Sequence, residues 1–153
     1  DLYRRGMYTF WKRTVPPPTM VTFDASSREI CVLSRSRTNT PLQALVLLNE
    51  VSYVEAARNL AQQMMLTEKS PAARLRWGWR QVTSREPSDY EVSVLANSLQ
   101  RNLKRYAADS DAAKELVSFG ESIPAADLDV SELAAYTAVA SMLMNLDEVI
   151  NRE

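Results

Sequence analysis

A chain of 153 residues, 46% hydrophobic and 24% charged with three glycines, has the proportions of one globular domain and excludes a disordered tail. Its single cysteine, Cys31, excludes an internal disulfide, and the absence of histidine removes the usual general base, the commonest metal ligand and the axial haem ligand. The net charge of -1 conceals a division: Asp1 to Arg85 carries 13 basic against 6 acidic residues and Glu86 to Glu153 carries 5 against 13, giving halves of +7 and -8.

Leu2 to Arg13 reads as an amphipathic helix with Tyr3, Met7, Phe10 and Trp11 on one face, ended by Pro16, Pro17 and Pro18, which favour an extended stretch. From Thr19 to Asn39 there is no helical period, only Ile30-Cys31-Val32-Leu33 as a possible extended segment. Irregular stretches of this length are uncommon in compact domains and often wrap a partner. Thr40-Pro41 then opens a helix, the threonine capping free amides and the proline occupying a first-turn position that needs no donor. Leu42, Leu45, Val46 and Asn49 share one of its faces. A second helix, from about Ser52 to Leu66, carries Val54, Ala57, Ala61 and Met64 or Met65, with a kink expected near Asn49.

Ser70-Pro71 repeats the cap-and-proline start, followed by Leu75, Trp79 and Val82 at helical spacing. Gly78 in that helix costs about 1 kcal/mol against alanine, which points to a closely packed neighbour. Ser88 with Glu91 forms a capping box for a helix to about Ala107, with Val92, Leu95, Leu99, Leu103 and Tyr106 as its stripe. A short helix from Asp111 to Phe119 stops at Gly120. A last helix, capped by Ser131, runs to about Ile150 with Leu133, Tyr136 or Thr137, Ala140, Leu143 or Met144, and Asp147 as its face. The fold predicted is all-α: an irregular bundle of about six helices with a long irregular N-terminal segment and at most one short strand. The two charge halves are expected to fold against each other. An acidic partner for the basic half is the alternative, but the scattered arginines carry no nucleic-acid signature.

Tests for chemistry fail one after another. Covalent haem c and zinc both need ligands that one cysteine and no histidine cannot supply. Asp127 to Ser131 imitates the start of a calcium loop, but Glu132 stands where the glycine belongs and Ala138 where the bidentate acid belongs. Gly6, Gly78 and Gly120 are too far apart to cradle a phosphate, and no Ser-x-x-Lys occurs. The pairs Asp109/Asp111 and Asp127/Asp129 read as surface charge. What survives is a polar cluster of Asp24, Arg28, Arg35, Arg37, Asn39, Gln43 and Asn49, which either satisfies loop backbone or forms an anion or sugar site at the Pro41 helix. No catalytic, metal or cofactor residue is assigned. Trp11, Trp79, Met64, Met65, Met142 and Met144 fit core stripes, whereas Trp77 lies off its helix's main face and could meet another part of the protein.

The run from Arg4 through Tyr8-Thr9-Phe10-Trp11-Lys12-Arg13-Thr14, the three prolines, Phe23-Asp24-Ala25 and Arg37-Thr38-Asn39-Thr40-Pro41-Leu42-Gln43-Ala44-Leu45 together form a distinctive pattern. With Leu48-Asn49, Val54-Glu55-Ala56-Ala57-Arg58, Arg85-Glu86-Pro87, Asn145-Leu146-Asp147-Glu148 and Arg152-Glu153, it resembles the C-terminal portion of the planctomycete-type domain of unknown function 1553. Gly6 departs from it, standing where a small polar residue is common. The resemblance implies a large exported bacterial protein, often with a cytochrome-c-like segment, so haem c is expected elsewhere in the parent and no cofactor in this chain. It supplies no activity and no catalytic residues. A first residue of Asp1, with no leader and no apolar run of membrane-spanning length, fits residues 1–153 as one helical domain cut from a longer polypeptide. Its expected partners are the preceding domains of the same polypeptide. A non-catalytic scaffold or interaction module is the leading expectation. A share in a site acting on carbohydrate or an anionic polymer, with Asp24 and the arginines, is the alternative.

Overall fold

The computed structural model describes residues 6–12, 14–34 and 36–151, and these are 66% helical with no strand among them. A single 3-10 turn, Gly6–Tyr8, is followed by α1 (Pro18–Thr22), α2 (Pro41–Asn49), α3 (Val51–Thr67), α4 (Pro71–Thr83), α5 (Asp89–Ala108), α6 (Ser110–Ser118), α7 (Val130–Met144) and α8 (Asp147–Ile150).

Most of these helices begin where a side chain can take up free amides. Thr40 and Gln43 complete a reciprocal capping box on α2, and Ser88 and Glu91 complete another on α5. Ser70 accepts from the Ala73 amide at the start of α4, Asp109 from Ala112 on α6, and Asp129 from Glu132 on α7. Asp109 and Asp129, members of the two acidic pairs, are therefore helix caps. Between α2 and α3 the chain breaks at Glu50, whose carboxylate accepts from the Ser52 and Tyr53 amides.

The core lies between α3, α4, α5, α6 and α7, with α7 at its centre, packed on α3, α5 and α6. Leu133, Ala134, Ala135, Tyr136, Thr137, Val139, Ala140 and Leu143 of α7 are all buried. A helix buried around most of its circumference needs apolar residues on nearly every face, and the alanines let neighbours approach closely. Ala57 and Ala61 of α3 meet this surface with Met64 and Met65. Gly78 of α4 makes the close approach its sequence suggested: a Cβ there would sit 2.7 Å from Met64 Sδ.

The two charge halves pair through the arginines of residues 74 to 85. Arg74 pairs with Glu132 at 2.7 Å, Arg76 with Asp89 at 2.8 Å, Arg80 with Glu86 at 3.1 Å, and Arg85 with both Glu91 and Glu148.

Several expectations are corrected. Only the 3-10 turn Gly6–Tyr8 is helical within described residues 6–12, and Phe10 is 82% exposed while Trp11 lies against Arg28, so the apolar residues of that segment do not share one buried face. Tyr3 and Arg13 lie outside the described residues. Pro18 does not continue an extended stretch but occupies the first position of α1, where its missing N–H costs nothing. Ile30 to Leu33 forms no strand, and Ile30, Val32 and Leu33 are exposed. The last long helix is capped by Asp129 rather than Ser131 and ends at Met144. Leu146 restarts the chain into α8. On α2 the buried side chains are Gln43 and Leu47, while Leu42, Leu45 and Leu48 face outward.

Candidate functional site

The polar cluster forms where the loop after α1 returns to the start of α2. Asp24 sits at φ 56°, a left-handed conformation that aspartate tolerates, and its Oδ2 accepts from the Thr38 amide at 2.9 Å and the Thr38 hydroxyl at 2.7 Å. Gln43, only 1% exposed, ties three segments together. Its Nε2 donates to Thr22 O at 2.9 Å and to Thr38 Oγ1 at 3.0 Å, while its Oε1 accepts from the Thr40 amide at 2.9 Å. A buried amide that uses both its ends in this way fixes a loop otherwise lacking secondary structure.

The C-terminal turn joins the same knot. Asn39 Nδ2 donates to Asp147 Oδ1 at 2.8 Å, and Asn151 Nδ2 donates to that oxygen at 3.0 Å and to Thr38 O at 3.4 Å. A cleft of about 550 Å³ opens beside it, lined by Asp24, Leu33, Ser36, Arg37, Gln43 and Asn151 among others. A second hollow, of about 400 Å³, lies on the other side of Phe23 and is walled by Met7, Trp11, Met20, Arg28 and Tyr53. There the Arg28 guanidinium lies 5.4 Å from the centre of the Trp11 ring, and Phe23 and Tyr53 pack with centroids 5.8 Å apart. Burial, and then the charge of Glu50, push the Tyr53 phenol above its ordinary pKa, so it stays a neutral donor.

Of the seven predicted cluster residues, Asp24 and Gln43 are joined directly, Asn39 reaches the knot through Asp147, and Arg37 lines the cleft. Arg28 belongs to the aromatic hollow. Asn49 turns back onto its own helix, donating to Leu45 O at 2.8 Å. Arg35 lies outside the described residues. No group of three or more metal-ligating acids or cysteines comes together among the described residues.

Sequence reasoning singled out Glu55 and Arg58 only as part of a motif, yet they form the most buried ionic site described. Arg58 is 0% exposed and Glu55 1%. Arg58 donates to Val117 O at 2.6 Å, Phe119 O at 2.9 Å and Ser122 O at 2.7 Å, and to Glu55 at 3.4 Å. Glu55 accepts from the Ser122 amide at 2.7 Å, the Glu121 amide at 3.2 Å and, more closely, the Ser122 hydroxyl. Gly120, at φ 93°, brings the loop backbone against the Glu55 carboxylate, where any Cβ would collide. A three-residue acid-to-base spacing was the one sequence signal available, and it describes solvated surface pairs equally well.

A second motif pair also meets. Arg85 lies over the Trp79 ring at 4.8 Å and grips Glu91 at 2.6 Å and Glu148 at 2.8 Å, clamping α8 to the α4–α5 corner. Hydrogen bonds from Arg85, and then from the Ser88 amide, hold Glu91 down at about 2. Trp77 is partly buried against the core.

The chain belongs to the PSD1 family of proteins of unknown function (DUF1553), whose family model matches residues 1–99. That span takes in the aromatic hollow, the Asp24–Gln43 knot and α2 to α4, with the first half of α5. No curated protein and no solved structure matches the chain.

Proposed function

We propose that this chain is a non-catalytic helical interaction module that docks, through its first fifty residues, on preceding domains of a larger exported and cytochrome-c-linked polypeptide. One observation carries the reading. Of the large hydrophobic residues left exposed, twelve fall between Met7 and Val51, against six in the rest of the described chain. Over the same span only Gln43 and Leu47 are buried among the described residues. Exposed apolar surface concentrated in this way marks an interface rather than a free surface. The polar knot then shapes that face: it uses Asp24 to hold Thr38, and it supports a structural rather than a catalytic role for this carboxylate.

Export and the cytochrome link rest on the family resemblance, and a haem would be carried outside these residues. The reading is tested by amide exchange on the isolated chain and on the longer polypeptide. Docking predicts that amides of residues 42–49 exchange slowly only in the longer form. Equal exchange in both would remove the basis for a docking role.

A further inference from the structure

We infer that the cleft between the α1–α2 loop and α8 is a binding site for a neutral polyhydroxyl ligand, a saccharide by chemical class. Its volume of about 550 Å³ lies within the range of small-molecule sites. Stretches far apart in sequence wall it: Phe23 with Asp24, then Ser36 with Arg37, then Ile150 with Asn151. They are tied to one another beneath the cleft, where Gln43 donates to Thr22 O and Thr38 Oγ1 and Asn151 donates to Thr38 O. Walls joined in this way spare part of the ordering cost that weakens binding to a loose loop.

The class of ligand follows from which groups are already spent. Gln43 uses its amide at both ends within the knot, and Asn151 spends its Nδ2 on Asp147 and Thr38, so Asn151 Oδ1 is the end left to accept. Arg37 supplies donors only. It is exposed and makes no ion pair among the described residues, although Asp147 and Glu148 line with it an adjoining hollow of about 450 Å³. The Ser36 hydroxyl both donates and accepts.

Charge excludes the simpler ligands. Asp24 is held by the amide and hydroxyl of Thr38, Asp147 by the amides of Asn39 and Asn151, and Glu148 shares Arg85 with Glu91. Among the described residues, Arg37 and Arg85 therefore stand among four carboxylates, a surrounding that repels an anion. A cation would find acceptors but would face the Arg37 guanidinium. A ring hydroxyl donates and accepts at one oxygen, so adjacent hydroxyls match the sequence of Arg37, Ser36 and Asn151 Oδ1, and Phe23 offers an apolar wall to the C–H face of the ring.

The test is an NMR titration of the 153-residue chain with maltotriose, cellotriose and mannotriose, and with trigalacturonate as the charged counterpart. At least one neutral trimer shifts the backbone signals of Ser36 and Arg37 and the side-chain amides of Gln43 and Asn151, with a dissociation constant of about 1 mM, the strength of a shallow and wet site. That affinity holds between about 0.05 and 0.5 M salt, because a neutral ligand brings no charge to screen. Arg37→Ala, at an exposed side chain without an ion pair, keeps the fold and weakens the binding about tenfold through the loss of charge-assisted hydrogen bonds. No shift with any of the three neutral trimers at about 50 mM would overturn the site, and shifts confined to another part of the surface would overturn its location. Tighter, salt-sensitive binding of trigalacturonate would overturn the neutral class. Unchanged affinity in Arg37→Ala would overturn the part given to that residue. Every arm uses the chain by itself, so failure here bears on the cleft alone, while docking is decided by exchange in the longer polypeptide.

Discussion

Replacing Arg58 by methionine isolates the contribution of the buried ionic site, because the substitution keeps an unbranched chain of similar length and removes only the guanidinium. The native group is fully buried and supplies donors to Val117 O, Phe119 O and Ser122 O as well as to Glu55. Without it, three carbonyls lose a donor and a carboxylate that is 1% exposed is left without its cation. Breaking one side of a buried pair costs about 3–5 kcal/mol, and each orphaned carbonyl adds roughly 1 kcal/mol unless water reaches it. Phe119 and Ser122 are exposed, so water can reach their carbonyls but not that of buried Val117, and the expected loss is about 4 kcal/mol. At roughly 2–4 °C per kcal/mol for a chain of this size, the melting point falls by about 12 °C. Urea unfolding of the wild type, Arg58→Met, Glu55→Gln and the double variant gives the coupling directly. The double variant should lose about 2 kcal/mol less than the two single losses added together, because neither charge is then left alone. A loss below 1 kcal/mol for Arg58→Met, at unchanged denaturant slope, would refute the assignment of a stabilising pair.

Three further outcomes follow from the same geometry. Gly120→Ala combines a strained positive φ with a Cβ driven into Glu55, and is expected to destabilise by about 3 kcal/mol in thermal or urea unfolding. Gln43→Ala removes the amide that joins Thr22, Thr38 and Thr40, so the backbone amides of residues 38–40, 42 and 43 should exchange at least tenfold faster while the α3–α7 core keeps its protection, since the knot lies outside that core. Glu91 has its folded pKa depressed from 4.5 to about 2, so its contribution is present above the unfolded value and is lost as pH falls through the folded one. Glu91→Gln should therefore flatten the stability profile between about pH 5 and pH 2, as followed by circular dichroism in urea; an unchanged acid limb would show that the Arg85 contact does not operate in solution.

Local rules explain what could be read in advance. The starts of α2, α4 and α5 at Thr40, Ser70 and Ser88 depend on hydroxyls three residues from the amides they cap, and the all-α class depends on apolar spacing within single helices. The crowding at Gly78 was legible for the same reason, since a glycine inside a strong helical pattern needs a packing cause. Of the site, Asp24, Asn39 and Gln43 were legible as loop-binding polar residues, but not their partners: Thr38, Asp147 and Asn151 are ordinary polar residues whose role comes from long-range proximity.

Periodicity names the apolar face of a segment without saying whether anything lies opposite it. The Leu2 to Arg13 pattern suggests a helix, yet described residues 6–12 form only a 3-10 turn with Phe10 exposed. The α2 pattern identified Leu42 and Leu45 as a shared face, and that face is exposed while the buried side belongs to Gln43 and Leu47. Glu55 and Arg58 show the converse: their spacing is that of a surface pair, and only the return of the Val117 to Ser122 loop buries them. Amino-acid order alone thus determined where helices start and which residues are apolar, because those depend on neighbours within a turn. Which faces are covered, and which charges lose their water, was decided by the tertiary structure, because desolvation depends on atoms distant in the chain.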